Sequence, residues 1–199
     1  MFYRDNIKLL EEKYPLIYKS ISKINPNKKV YEIIKSKTNQ FTLKINQNNK
    51  TFFLHSKYNP NREAANIAEE NYDELIKNYI IFGLGFGYHV EQLMLMAPTA
   101  HFHIIETNKE VFKLALEHVD LSKIINNIRV HLYVTDDKLE IIKILNSMLF
   151  LDDIKIVIHN ASIKAMSYNL IDIKYLLEEY KMKESSIEEF APLLKENFD

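Results

Sequence analysis

Apolar positions along the chain follow two successive regimes. Over residues 5–23, Ile7, Leu10, Tyr14, Ile17, Tyr18 and Ile21 recur every three or four residues, the spacing of one helix face. Pro15 falls inside that stretch and is expected to kink or split it. Asn25-Pro26-Asn27 marks a turn. Three short runs of strand character come next, Val30–Ile34, Phe41–Ile45 and Thr51–Leu54, with Asn46-Gln47-Asn48-Asn49 as a hairpin turn. The pattern predicts a helix and then a small antiparallel meander. Asn59 suits an N-cap and Pro60 a first helical position. A polar helix over 60–78 is expected to lead onward, with Ala64, Ile67, Ala68, Leu75 and Ile76 as its apolar contacts.

From residue 79 strand and helix patterns alternate. Tyr79-Ile80-Ile81-Phe82 is apolar throughout, as a parallel strand buried on both faces should be. A helix starts near Tyr88 or His89. Further strands are expected at His101–Glu106, Arg129–Thr135 and Lys155–His159. Helices are expected at Asn108–Val119, Lys138–Leu149 and Ile171–Tyr180, with a last one in the charged tail Lys181–Asp199. This alternation predicts an α/β fold: a Rossmann-like parallel sheet with helices on both faces, preceded by a small α+β unit. The expected division is 1–59 for that unit, 60–78 for a linking helix and 79–199 for the nucleotide-binding region.

Composition narrows the class. A chain of 199 residues suits one domain, or one with a small annex. With 47% apolar and 27% charged residues it has enough apolar material for a core. A net charge of −1 argues against a generally cationic nucleic-acid binder. There is no cysteine, so neither disulfides nor thiolate metal sites arise. No signal-peptide pattern opens the chain and no apolar run reaches membrane-spanning length. A soluble, cytoplasmic protein is expected, with neither membrane nor nucleic acid as partner.

Glycine changes the picture most. Average usage would give roughly 14 in this length; there are three, at Gly83, Gly85 and Gly87. Their confinement to one turn suggests backbone that cannot accept a Cβ. A strand, a glycine turn and a helix can cradle a nucleotide on free N–H groups, and Glu106, ending the second strand, is placed to accept from ribose hydroxyls. Tyr88 stands where the dinucleotide fingerprint needs a further glycine, which argues against NAD. The G-x-G-x-G spacing is closer to S-adenosylmethionine (SAM) methyltransferases, although Ile81 stands where an acid is usual there. The competing reading is a turn kept for strand–helix packing.

Other candidates gather at the expected carboxyl edge of the sheet. Asp136 and Asp137 succeed the third strand, and His159 and Asn160 the fourth; capping is their alternative role. His89 lies beside the loop, where it could contact a phosphate. His101 and His103 share a strand face but lack an evident third ligand, so packing is favoured and no metal site is expected. Lys57 and Ser56, on a strand exit, could meet a phosphate.

Two segments carry a family resemblance. His55-Ser56-Lys57-Tyr58-Asn59-Pro60, succeeded by Glu63-Ala64, resembles the H-S-K-Y-x-P-x-x-E-A signature of bacterial motility accessory factor (Maf) proteins. Ile81 through His89 resembles their glycine-loop segment, and Ile105-Glu106-Thr107-Asn108 their E-x-N. The resemblance implies a glycosyltransferase that moves a nonulosonic acid from a CMP-sugar donor to Ser or Thr of flagellin. It implies His55, Ser56, Lys57, Tyr58, Pro60 and Glu63 as the signature. It also implies Gly83, Gly85, Gly87, Tyr88, His89 and Glu106 at the nucleotide-facing edge; Asn108, two residues past Glu106, and Asp136 and Asn160, by their place at the sheet edge, join them as candidate binding residues. Family members are usually several times longer. No general base is identified by sequence; His89 and His159 are the shortlist. A SAM-dependent methyltransferase and a non-catalytic interaction module stand as alternatives.

Overall fold

The computed structural model describes residues 2–148, 150–180 and 182. The first stretch forms two helices, α1 (Phe2–Lys13) and α2 (Pro15–Ile21). They are divided at Pro15, as the proline requires. Next comes a three-stranded antiparallel sheet, β1 (Tyr31–Lys35), β2 (Phe41–Gln47) and β3 (Lys50–Phe53), in that order. The β2–β3 turn rests on Asn48 and Asn49, both left-handed with φ of 52° and 57°. Two-residue hairpin turns demand that geometry, and asparagine tolerates it.

Helix α3 (Pro60–Asn71) starts where Asn59 Oδ1 accepts the Arg62 N–H at 3.0 Å. It is shorter than its periodicity predicts. Leu75 and Ile76 continue the apolar spacing, but Asp73 Oδ1 accepts the Leu75 N–H and closes a turn there instead.

The second sheet is parallel. It contains β4 (Asn78–Phe82), β5 (His101–Glu106), β6 (Val130–Val134) and β7 (Ile154–Ile158), in spatial order β6-β5-β4-β7. Between them run α4 (Tyr88–Met96), α5 (Lys109–His118), the short α6 (Ser122–Ile125) and α7 (Lys138–Ser147). After β7 come α8 (Asn160–Lys164), a 3-10 turn and a helix over 171–180. Helices α6 and α8 are too short to show a periodic pattern. The expected helix over Lys181–Asp199 lies, apart from Met182, outside the described residues.

Strand alternation divides the core into two layers. Tyr79 and Ile81 of β4 join one cluster with Leu10, Leu43, Ala68, Val90 and Phe112. Ile80 and Phe82 join the other, with Ile105, Ile141, Ile163 and Leu177. The first cluster runs without a break from α1 and the antiparallel sheet through α3, α4 and α5. Asn6 fastens this side. Its buried amide donates to the Leu116 and Val119 carbonyls and accepts from the Leu121 N–H. Among the described residues no helix is long and apolar enough to cross a membrane.

The order β6-β5-β4-β7 reverses direction at β4, whose chain neighbour β5 lies on one side and β7 on the other. Ligands of open α/β sheets bind at the carboxyl ends of the strands flanking such a reversal.

Candidate functional site

The glycine loop leaves β4 at that reversal point and is closed by the protein itself. The Gly83 N–H donates to the Ile105 carbonyl at 2.9 Å, and the Gly87 N–H to the Leu84 carbonyl at 2.8 Å. The Leu84 and Gly85 N–H groups donate to Glu106 Oε2 at 2.9 and 3.0 Å. The Phe86 N–H donates to His55 Nε2 at 2.9 Å. An anion cradle needs free N–H groups, and each amide from 83 to 87 already has an acceptor.

The glycines make room for protein side chains. A Cβ on Gly83 would stand 2.2 Å from Ser162 Cβ, on backbone with φ +91°. One on Gly85, at φ +54°, would stand 2.8 Å from His55 Nε2. Neither position accepts an ordinary L side chain. Gly87 packs against Ile124 and Leu121. The confinement of glycine to this turn therefore has a packing cause.

Glu106 is 1% exposed. Its Oε1 accepts the Asn108 N–H at 2.8 Å while Oε2 holds the loop. Burial pushes its carboxyl up, and N–H bonds from Asn108, Gly85, Leu84 and Thr107 pull against that shift. It has no opening towards a ribose. Asn108 is also engaged. Its Oδ1 caps α5 through Glu110 and Val111, and its amide donates to Tyr31 Oη and the Ala165 carbonyl.

Beside the loop three imidazoles stack in the interior. The His159 ring lies 4.9 Å from that of His55 and 4.5 Å from that of His89, centroid to centroid. All three residues are at most 3% exposed. His89 Nε2 donates to the Gly83 carbonyl at 3.0 Å; its Nδ1 has no hydrogen-bond partner. His159 Nδ1 shares a hydrogen bond of 2.7 Å with Ser162 Oγ. Because His55 Nε2 accepts from Phe86, its proton sits on Nδ1, 3.5 Å from Glu63 Oε2.

Burial lowers the pKa of all three. His89 is pulled down to about 3, by burial and then by neighbouring His55. His159 is pulled well below its ordinary value by burial, His89 and His55. Burial also lowers His55, against the opposing pull of Glu63. The stack is thus neutral at physiological pH.

The signature residues build the turn that supports this stack. Glu63 Oε2 accepts the Ser56 N–H at 2.9 Å while facing His55. Ser56 Oγ accepts the Tyr58 and Asn59 N–H groups, both at 3.2 Å. Pro60 begins α3. Lys57 and Tyr58 are exposed, the Lys57 ammonium lying 5.2 Å from the Tyr58 ring. Tyr88 Oη donates to the Phe41 carbonyl at 2.9 Å and ties α4 to the antiparallel sheet.

An open groove of about 880 Å³ lies next to this closed loop, between α3 and β7–α8. The signature turn contributes Ser56, Tyr58 and Asn59, and α3 contributes Arg62, Glu63, Asn66 and Glu70. Strand β7, helix α8 and the junction between them contribute Lys155, His159, Asn160 and Lys164. Of the three stacked histidines only His159 lines it. Arg62, Lys155 and Lys164 enter no ion pair among the described residues. The groove therefore sets these three cations against the carboxylates of Glu63 and Glu70, a net positive charge beside a neutral imidazole. That combination suits an anionic ligand.

Arg62, Asn66, Glu70, Lys155 and Lys164 are not singled out by sequence, although two signals mark all of them but Lys164. Arg62, Asn66 and Glu70 are spaced by four on one face of α3, and Lys155 interrupts an otherwise apolar strand, as edge strands do.

Two expected groups lie elsewhere. Asp136 comes after β6, the far edge strand, where it pairs with Lys109 and is half exposed. His101 and His103 share a face of β5 with His131 of β6, with ring centroids 5.9 Å (His101–His131) and 4.7 Å (His103–His131) apart. The rings stack instead of converging on a point, and both nitrogens of His103 lack partners. Burial, then His131 and His101, pulls His103 down to about 4.

Comparison with known proteins agrees with the fold. No curated protein matches the chain. A solved structure, a MAf glycosyltransferase from Magnetospirillum magneticum AMB-1, superposes with a TM-score of 0.60 at 14% identity, covering 87% of this chain and 35% of that one. This likeness concerns the fold alone, and the chain spans about a third of that protein. MNMC2 from Aquifex aeolicus gives a TM-score of 0.33 at 18% identity over 67% of this chain and 52% of its own, too low to support an argument. The family described as glycosyltransferase Maf N-terminal domain matches residues 34–169, a span that holds the signature turn, the glycine loop and the groove. On that match the chain belongs to the glycosyltransferase Maf N-terminal domain family.

Proposed function

We propose that this domain holds the activated donor of a Maf-type glycosyltransferase, a CMP-linked nonulosonic acid on its way to Ser or Thr of flagellin. The site is the groove between α3 and β7, at the signature-turn end, and not the glycine loop. One observation carries the reading. Arg62 and Lys164 line the groove with no ion pair among the described residues, beside His159 at the sheet reversal point. Phosphate and carboxylate groups of such a donor would pair with these cations, and neutral His159 can accept or donate a hydrogen bond to it. Methyl transfer from SAM is disfavoured, because it would need the loop amides and Glu106 to face a ligand, and they face one another. The closed loop also favours a second reading, in which the domain positions partners for chemistry performed elsewhere on a longer protein.

Calorimetric titration with CMP tests the proposal. Binding should be measurable at millimolar concentration or better, and Arg62→Ala or Lys164→Ala should each weaken it roughly tenfold. Absence of CMP binding, or binding indifferent to both substitutions, would leave the second reading.

A further inference from the structure

The groove continues from the signature turn along the outer edge of β7, the last strand on that side of the sheet among the described residues. The Asp153 carbonyl accepts from the Lys77 and Asn78 N–H groups, and the His159 N–H donates to the Phe82 carbonyl. Residues 153 and 159 therefore turn their backbone towards β4. Backbone direction alternates along an extended strand, so Lys155 and Val157 face β4 as well. Ile154, Ile156 and Ile158 turn their N–H and C=O groups outward. The side chains of those isoleucines pack into the second apolar layer. Ile156 and Ile158 thus present mainly backbone to the groove.

Free strand edges are usually blunted by bulges, prolines, several charges or a covering element. Strand β7 pairs with β4 in unbroken register from Ile154 to Ile158 and contains no proline. Lys155 is its one charge. A wall faces this edge: α3, with Arg62, Asn66 and Glu70 on one helix face. A regular row of outward N–H and C=O groups beside an open slot is the geometry that captures an extended peptide as an added strand.

We infer that β7 is a docking edge, and that an extended segment of the acceptor polypeptide adds to it as a fifth strand between β7 and α3. The inference rests on the reading of this domain as part of a protein-modifying glycosyltransferase. The segment bonds to the outward backbone of Ile154, Ile156 and Ile158, and a carboxylate on it pairs with Lys155, which has no ion pair among the described residues. Strand β7 leads directly to His159, so a docked segment runs towards the end of the groove assigned to the donor.

The test uses amide hydrogen exchange by NMR on the intact chain, with peptides enriched from a random dodecapeptide display library on the same protein. In the free protein the Ile154, Ile156 and Ile158 amides should exchange faster than those of Lys155 and Val157. A bound enriched peptide should slow exchange at Ile156 and Ile158 at least tenfold. Lys155→Glu should weaken that peptide about tenfold. Ile156→Pro should abolish its binding, since proline is accepted on an edge strand where its N–H would face outward but blocks an added strand; circular dichroism checks that this variant is folded. The proposal is overturned if no peptide is enriched or if enriched peptides leave these amides exchanging freely. It is also overturned if protection without peptide grows with protein concentration, which would assign the edge to a second copy of the chain. A CMP titration of the same sample reads the donor proposal separately: amide protection without CMP binding overturns the donor site and leaves the docking edge standing.

Discussion

The glycine loop and the α3–β7 groove sit at the carboxyl ends of adjacent strands, β4 and β7, and share His159 as a wall. The loop carries the residues that look like ligand machinery: three glycines, a helix start and a buried acid. Its N–H groups bond to Ile105, Glu106, His55 and Leu84. The groove carries no motif beyond the signature turn, yet it holds the unpaired cations. A glycine-rich turn thus reports close approach of something to the backbone without saying whether that is a ligand or the protein's own side chains. Here Ser162 occupies the space beside Gly83, His55 that beside Gly85, and Ile124 with Leu121 that beside Gly87.

Breaking the loop should therefore unfold the protein before it affects any ligand. The largest effect of a single substitution is expected for Gly83→Ala. Its Cβ would overlap Ser162 Cβ on left-handed backbone, costing about 4 kcal/mol from overpacking and strain together. Urea denaturation would measure it. Adding Ser162→Gly should recover part of the loss by removing the clash, and failure of that rescue would weaken the packing account.

Acid comes next. The three stacked histidines are neutral in the fold, with His89 at about 3. In the unfolded chain they take up protons below about pH 6.5. The unfolded state then binds more protons than the native state, so stability falls as pH drops from there towards the folded values. Each histidine contributes a slope of up to roughly 1.4 kcal/mol per pH unit. Thermal melts between pH 7 and 5 should show that decline, and His159→Gln should make it shallower.

A smaller effect is expected at Glu106. Glu106→Gln places an NH₂ group where an oxygen now accepts backbone N–H bonds and should cost about 2 kcal/mol in the same denaturation assay. A ribose-binding role would instead leave stability intact and reduce affinity. The smallest stability effect belongs to the groove: Arg62→Ala should change stability by less than about 0.5 kcal/mol while weakening CMP. Together these variants separate a region that holds the fold from one that is free to bind.

Much of this architecture is legible in the sequence, for identifiable reasons. The run Tyr79–Phe82, the glycines and Glu106 place a strand, a turn and a strand end correctly, because a strand buried on both faces must be apolar throughout. Asn59-Pro60 starts α3 where the cap chemistry says. Partnership across long separations is not legible in the same way. His55 lies 31 residues from Phe86, whose N–H it accepts, and Ser162 fills the space beside Gly83 from another strand's exit. The His89–His159–His55 stack has no local pattern at all. The groove is hidden for a related reason: ordinary solvated positions such as Arg62 and Glu70 become a wall only when β7 is known to be an edge.

An NMR titration of the isotope-labelled chain with CMP decides whether the nucleotide sits in the α3–β7 groove or at the glycine loop. Shift changes are expected at Arg62, His159, Asn160 and Lys164, with the amides of residues 83–87 unmoved and still protected from exchange. Shift changes or lost protection centred on Gly83–Gly87, with the groove residues unaffected, would contradict the groove assignment and return the nucleotide site to the glycine loop.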